Sequence, residues 1–114
     1  MPVSISPEVI RGYVDTIILS VLLDEPSYGY DVSRQIAETS DGRYTMKETT
    51  LYSAFSRLER NGLVASFPGT ETRGRPRTYY RVTASGREHY TQRCHEWKLT
   101  RAVVDSFIDP TKGE

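Results

Sequence analysis

Cysteine is nearly absent from this chain. Cys94 stands alone among 114 residues, so no intramolecular disulfide framework can staple the fold. Histidine is almost as scarce, with only His89 and His95 present. The two are not spaced as metal ligands, no glycine-rich loop is built to cradle phosphate, and no nucleophile elbow occurs. Cys94 and His95 are neighbours on a helix and point about 100° apart, and His89 diverges from Cys94 as well. No catalytic residue, metal or cofactor is expected, and the chain does not read as an enzyme. Long hydrophobic runs are missing too. The longest, Ile17 to Leu23, is interrupted by Ser20 and falls far short of the roughly 20 residues that span a bilayer. The first residues, MPVSISPEV, carry neither a basic flank nor an apolar core, so they do not read as a secretory signal. A soluble, cytoplasmic chain without membrane contact is the expectation.

Net charge is also absent, since 15 lysines and arginines balance 15 aspartates and glutamates. The distribution is more informative than the sum. Arg43 to Arg81 holds eight basic residues and three acids, a surplus of five, and the rest of the chain carries the opposite surplus. Between Thr72 and Arg87 there are five arginines and no acid. A chain that is neutral overall but locally basic suits a protein that grips phosphates with one face. The hydrophobic fraction of 37% is low. It fits a single domain with a small core, or one whose apolar face is completed by a partner chain.

What is present is organised around Lys47 to Arg81. Leu51, Ala54, Phe55 and Leu58 recur at helical spacing among hydrogen-bonding residues, and Asn61-Gly62 supplies a helix end. Leu63 to Phe67 and Thr78 to Val82 have strand composition. The link between them, Pro68 to Arg77, contains Gly69, Gly74 and Pro76 and makes a long hairpin loop. Helix, turn and basic hairpin in this order predict a winged helix-turn-helix, in which a helix enters the major groove and the wing touches backbone or minor groove.

Upstream, Ser6-Pro7-Glu8 reads as a helix start. An apolar stripe from Ile10 runs to about Leu23, where Asp24-Glu25-Pro26 stops it. Ser27-Tyr28-Gly29-Tyr30 opens a second helix, roughly Gly29 to Glu38, ended by Thr39-Ser40-Asp41-Gly42. Downstream, Thr83-Ala84-Ser85-Gly86 caps a last helix from about Ala84 to Ile108, nearly 40 Å long at about 1.5 Å per residue. Tyr90, Cys94, Trp97, Val104 and Ile108 form one apolar line on it, with Leu99, Val103 and Phe107 beside it. Arg101 interrupts the rhythm. Such a helix predicts packing on a partner helix and hence a homodimer, whose two-fold symmetry presents two recognition helices to a pseudo-palindromic DNA site. The fold class is mainly α with a small β-hairpin. Residues 1–83 form the winged helix-turn-helix with its N-terminal helix, 84–109 the dimerisation helix and 110–114 a tail.

The string TLYSAFSRLERNGL from Thr50 to Leu63, followed by GRPRTYYRVT from Gly74 to Thr83 and by Gly86, resembles the PadR family of transcriptional regulators. Tyr28-Gly29-Tyr30 and a mid-helix tryptophan, Trp97, are similar to that family as well. The brevity after the wing resembles its short subfamily, which includes multidrug-sensing members. The resemblance covers about Ser6 to Ile108.

It implies that the third helix places Lys47, Thr49, Thr50, Tyr52, Ser53 and Arg57 at or near DNA. Arg57 is the side chain best suited to a bidentate contact, with a surface ion pair as the alternative. Tyr28 is similar to backbone-clamping tyrosines, with a packed aromatic equally open. Arg73, Arg75 and Arg77 in the wing have no apolar role and are expected at phosphate or in the minor groove. Of Tyr79 and Tyr80, at least one is expected in the core.

The same resemblance implies a channel between the two tryptophans of a dimer, where planar aromatic compounds stack. Its lining here falls on Val9, Gly12, Asp15, Thr16, Ser20, Cys94, Trp97 and Arg101. Cys94 and Arg101 depart from an apolar channel, and Arg101 is expected to pair with Asp15, to pair with an acid across the dimer, or to favour anionic ligands. Plain packing of Trp97 in a dimer core is the other reading. Three functions stand in order: a homodimeric repressor released by a small aromatic ligand, the same repressor without an effector, and a winged-helix protein-interaction module that does not bind DNA.

Overall fold

The computed structural model describes residues 4–69 and 76–114. Ser6 caps the first helix, α1 (Pro7–Ile10), by accepting the Glu8 N–H, with Pro7 in the first turn. The single N-terminal helix expected from the apolar stripe is not continuous. A 3₁₀ turn at Arg11–Tyr13 separates α1 from α2 (Val14–Asp24). Gly12 sits in that turn, where its poor helix propensity, about 1 kcal/mol below alanine, makes a change of winding cheap.

Glu25 is extended before Pro26, as the proline ring requires, and it leads the chain into a two-residue strand, β1 (Ser27–Tyr28). Sequence reading placed these two residues at a helix start. Their strand pairing is with residues far along the chain, so local signals do not announce it. Helix α3 (Gly29–Thr39) follows, then α4 (Glu48–Arg60), β2 (Val64–Pro68), β3 (Thr78–Val82) and α5 (Ala84–Asp105). The hairpin is thus part of a three-stranded antiparallel sheet in the order β1-β3-β2, with Tyr28 opposite Tyr79 and Phe67 opposite Tyr79 on the other side.

Helix α4 ends as its sequence predicts. Gly62 adopts φ +74°, the left-handed region that only glycine enters at little cost. The Gly62 N–H donates to the Glu59 carbonyl and the Leu63 N–H to the Leu58 carbonyl, which satisfies the last turn. Thr83 then ties the next element to this corner. Its hydroxyl donates to the Gly62 carbonyl at 2.7 Å and accepts the Gly86 N–H at 3.0 Å, capping α5. A Cβ on Gly86 would lie 2.0 Å from the Leu63 carbonyl oxygen, so α5 can start this close to β2 only from a glycine.

The core lies where α2, α3 and α4 meet the sheet. Ile18, Leu19, Val32, Leu51, Ala54, Phe55 and Leu58 are essentially inaccessible. Phe55 stacks on Tyr80, with ring centroids 4.0 Å apart and 10° between planes, so Tyr80 is the tyrosine that faces the core. Among the residues of α5 only Gly86 is buried. The helix ends at Asp105, three residues earlier than the sequence implied, and the Phe107 and Ile108 N–H groups donate to the Val104 carbonyl, closing its last turn.

Asp31 anchors the start of α3. Its carboxylate accepts from the Ser27 hydroxyl at 2.6 Å and the Gln35 amide at 2.7 Å, and it pairs with Arg34. The Ser27 hydrogen bond, with help from Arg34 and Gln35 and against partial burial, holds the Asp31 carboxyl below the ordinary aspartate range. A carboxyl depressed on folding stabilises the native state fully above its unfolded pKa, and that contribution is lost as pH falls through the folded value. Asp31→Asn is therefore expected to lower the thermal midpoint at neutral pH, with the gap to wild type closing as the pH falls below about 4. A constant gap across that range, in a pH series of melting curves, would remove Asp31 as the source.

Candidate nucleic-acid interface and the exposed apolar helix

Helix α4 divides cleanly into two faces. Leu51, Ala54, Phe55 and Leu58 are buried, while Thr49, Tyr52, Ser53 and Ser56 are exposed on the opposite side. Lys47 occupies the N-cap position in extended conformation and is exposed. Of the residues predicted for DNA on α4 and its cap, Lys47, Thr49, Tyr52 and Ser53 are thus solvent-facing, and Thr50 and Arg57 are not. Both turn toward the N-terminal helix and are half-buried.

Arg57 is engaged. Its Nε and one terminal nitrogen donate to the two carboxylate oxygens of Asp15 at 3.0 and 2.5 Å, a bidentate pair. Hydrogen bonding to Asp15 raises the guanidinium above its ordinary pKa despite some burial, so the arginine stays charged. Of the two roles open for Arg57, the structure shows the ion pair. Asp15 and Arg57 are 42 positions apart, and nothing local to either predicts the match.

On the other flank of α4 a cleft of about 480 Å³ opens between the start of α3 and the root of the wing. Tyr28, Tyr30, Tyr52 and Tyr80 line it with Arg77. The Arg77 guanidinium lies 4.1 Å from the centre of the Tyr28 ring, a cation–π contact that aims the arginine along the surface. The Tyr52 ring closes over Gly29, where a Cβ would come within 2.4 Å of the phenolic oxygen. Sequence reading found Tyr28, Tyr52 and Arg77 but not Tyr30 or Tyr80. The signal for Tyr30 was its position in a Tyr-Gly-Tyr triplet, where one aromatic packs and the other is left 74% exposed. Arg73 and Arg75 lie outside the described residues.

The residues expected to line a ligand channel divide between two surfaces. Gly12 and Thr16 face α5, where Arg93 donates to the Gly12 carbonyl at 2.5 Å and reaches the Thr16 hydroxyl at 3.4 Å. Trp97 meets Tyr13 edge to face at 4.9 Å and remains 45% exposed. Val9 is exposed, Cys94 is half-buried, and the Ser20 hydroxyl donates to the Ile17 carbonyl within its own helix. Asp15 points to α4 instead. The pairing of Arg101 with Asp15 is not made within the chain, because Arg57 holds Asp15 and the nearest carboxylate to Arg101 is that of Asp105, at 3.9 Å. Beyond Trp97 the apolar residues of the C-terminal segment, Leu99, Val103, Val104, Phe107 and Ile108, are all exposed. Among the described residues no group of histidine, cysteine and carboxylate side chains could hold a metal, and no helix is long and apolar enough to cross a membrane.

Comparison with known proteins bears on the fold and the family. Residues 18–92 match the transcriptional regulator PadR-like family. The structure of a transcriptional regulator from Clostridium thermocellum superposes with a TM-score of 0.85 at 54% identity, over 92% of this chain and 99% of that one. A PadR family transcription regulator from Clostridium difficile superposes with a TM-score of 0.75 at 31% identity, over 86% of this chain and 100% of that one. An uncharacterised protein of Lysinibacillus sphaericus is 33% identical over 102 residues, spanning 90% of this chain and 94% of its own.

Proposed function

The chain belongs to the PadR-like family of transcriptional regulators, and from that premise we propose that it is a homodimeric, sequence-specific repressor acting on double-stranded DNA in the cytoplasm. The observation that carries the reading is the polar outer face of α4, backed by a packed core and flanked by the arginine at the wing root. In this reading Lys47, Thr49, Tyr52 and Ser53 approach the major groove, and Tyr28 and Arg77 hold backbone phosphates beside it. Residues 1–83 form the DNA-binding body. Residues 84–109, with α5 at their centre, form the dimerisation segment, because its exposed apolar line has no cover among the described residues. A pseudo-palindromic operator follows from the two-fold axis.

Release by a planar aromatic compound at Trp97 extends the same reading, with the exposed face of the indole as the stacking surface. In this reading Val9, Gly12, Thr16, Ser20 and Cys94 contribute to the lining, and Arg101 adds a cation that favours anionic compounds. One observation favours a packed dimer centre without an effector. Tyr13 already packs on Trp97, and Arg93 already donates to the Gly12 carbonyl and reaches the Thr16 hydroxyl.

Two titrations of the purified protein test the reading. Duplex DNA binding should weaken steeply as salt rises from about 50 to 200 mM, as counterion release demands; salt-insensitive or absent binding would leave a protein-interaction module. Trp97 is the only tryptophan, so its fluorescence reports one place. Saturable quenching by planar aromatic compounds supports the effector site and ranks ligand charge, and a flat response across cationic, neutral and anionic compounds assigns Trp97 to packing alone.

A further inference from the structure

The surface between the N-terminal helix and α4 carries a feature that the recognition-helix reading does not use. Arg11, Val14, Thr49, Thr50, Ser53 and Arg57 enclose an open groove of about 310 Å³. Three of these residues are hydroxyl donors and two are arginines, over the single apolar floor of Val14. The charged groups lining the groove are Arg11 and Arg57, and Asp15 stands behind Arg57 as its partner. Asp15 and Arg57 cancel through their bidentate contact, so the groove keeps the charge of Arg11. Arg11 is exposed and makes no ion pair among the described residues.

We infer that this groove is a phosphodiester-binding subsite for operator DNA, with Arg11 as its cation and Arg57 as a fixed wall. The inference rests on the DNA-binding reading and adds to it a contact from outside the helix-turn-helix. Thr49 and Ser53 belong both to the outward face of α4 and to the rim of the groove. A DNA strand bordering the major groove in which α4 lies therefore passes over Arg11. Hydroxyl and guanidinium donors around a small polar hollow suit the non-bridging oxygens of a phosphodiester, which accept and cannot donate. Arg57 cannot supply the missing charge itself. Two of its donor positions and its charge are committed to Asp15, so it shapes the hollow and leaves attraction to Arg11. A contact of this kind carries no base information and should weaken all sequences alike.

The test compares wild type, Arg11→Gln and Arg11→Lys, using a duplex enriched from a random pool on the purified wild-type protein. Affinity is measured against salt concentration, and thermal midpoints check that the exposed substitutions leave the fold intact. Arg11→Gln should flatten the slope of log K against log salt by about 0.9 for each arginine lost, and Arg11→Lys should restore most of it. The loss should be equal on an unrelated duplex. A wild-type slope retained in Arg11→Gln would overturn the proposal while leaving DNA binding in place. Wild-type protein that binds no duplex would remove the DNA reading itself, and this subsite with it. Inorganic phosphate, compared with chloride at equal ionic strength, separates a free anion from DNA backbone. Saturable thermal stabilisation by phosphate that Arg11→Gln abolishes, with an unchanged DNA slope, would make the groove a free-phosphate site and overturn the assignment.

Discussion

A Val103→Glu, Val104→Glu double variant should sediment as a monomer under conditions in which the proposed wild-type dimer forms. The two residues are 51% and 49% exposed in the single chain, so the body of the domain loses nothing when they change. One lies on each of the two apolar lines of α5, so a partner helix meeting either line would have to bury a carboxylate. Burying an unpaired charge costs several kcal/mol, more than two valines contribute to any helix contact. DNA binding should fall with self-association. Two half-sites held by a dimer act at a high effective concentration, and losing one of them weakens binding by about 10²–10⁴-fold. A variant that stays dimeric would place the two-fold axis elsewhere. One that is monomeric yet binds DNA with undiminished affinity would show that the operator is read by single chains.

Phe55→Ala should be the most damaging single substitution in the body of the domain. Phe55 is 1% exposed and stacks flat on Tyr80. Truncating a buried phenylalanine typically costs about 3–5 kcal/mol, a large share of the roughly 5–15 kcal/mol that holds a domain of this size. In denaturant the midpoint should fall accordingly, and the thermal midpoint by more than about 10 °C. The functional consequence comes through geometry. Phe55 is on the inner side of the helix whose outer side carries Thr49, Tyr52 and Ser53, and Tyr52 itself packs edge to face against it at 5.9 Å. Losing that backing should weaken DNA binding at temperatures where the protein still shows native helical content. Phe55→Leu, which keeps most of the volume, should cost about 1.5 kcal/mol or less. A Phe55→Ala protein within about 1 kcal/mol of wild type would mean that Tyr80 collapses into the space, and that the stack contributes little.

Both predictions rest on parts of the chain that are legible to different degrees. The helical period of Leu51, Ala54, Phe55 and Leu58, with Asn61-Gly62 after it, places α4 and its buried face almost to the residue. Thr83 and Gly86 do the same for the start of α5, and the pattern from Thr78 to Val82 for β3. These are signals carried within a turn or two of backbone. The same local logic expected one N-terminal helix where a 3₁₀ turn intervenes, and it missed β1 altogether. Two residues paired to a strand some fifty positions away leave no periodicity to detect.

The candidate site shows the same boundary more sharply. Which residues of α4 face outward follows from the sequence, because burial of the apolar positions leaves the polar ones nowhere else to go. Which acid Arg57 meets does not follow. Fifteen carboxylates are available in the chain, and the winding of the 3₁₀ turn together with the packing of α2 on α4 selects Asp15. Likewise only the fold could bring Arg93 onto the Gly12 carbonyl, 81 positions away, or show that Arg11, beside Thr49 and Ser53, makes no ion pair among the described residues. By itself, then, the sequence determined the family, the order of the main helices and of the β2–β3 hairpin, and the two faces of α4, since caps, periods and turn residues act over a few peptide units. The tertiary structure decided the partnerships between charges, because an ion pair depends on how distant helices are rotated against one another, and no short stretch of chain contains that angle.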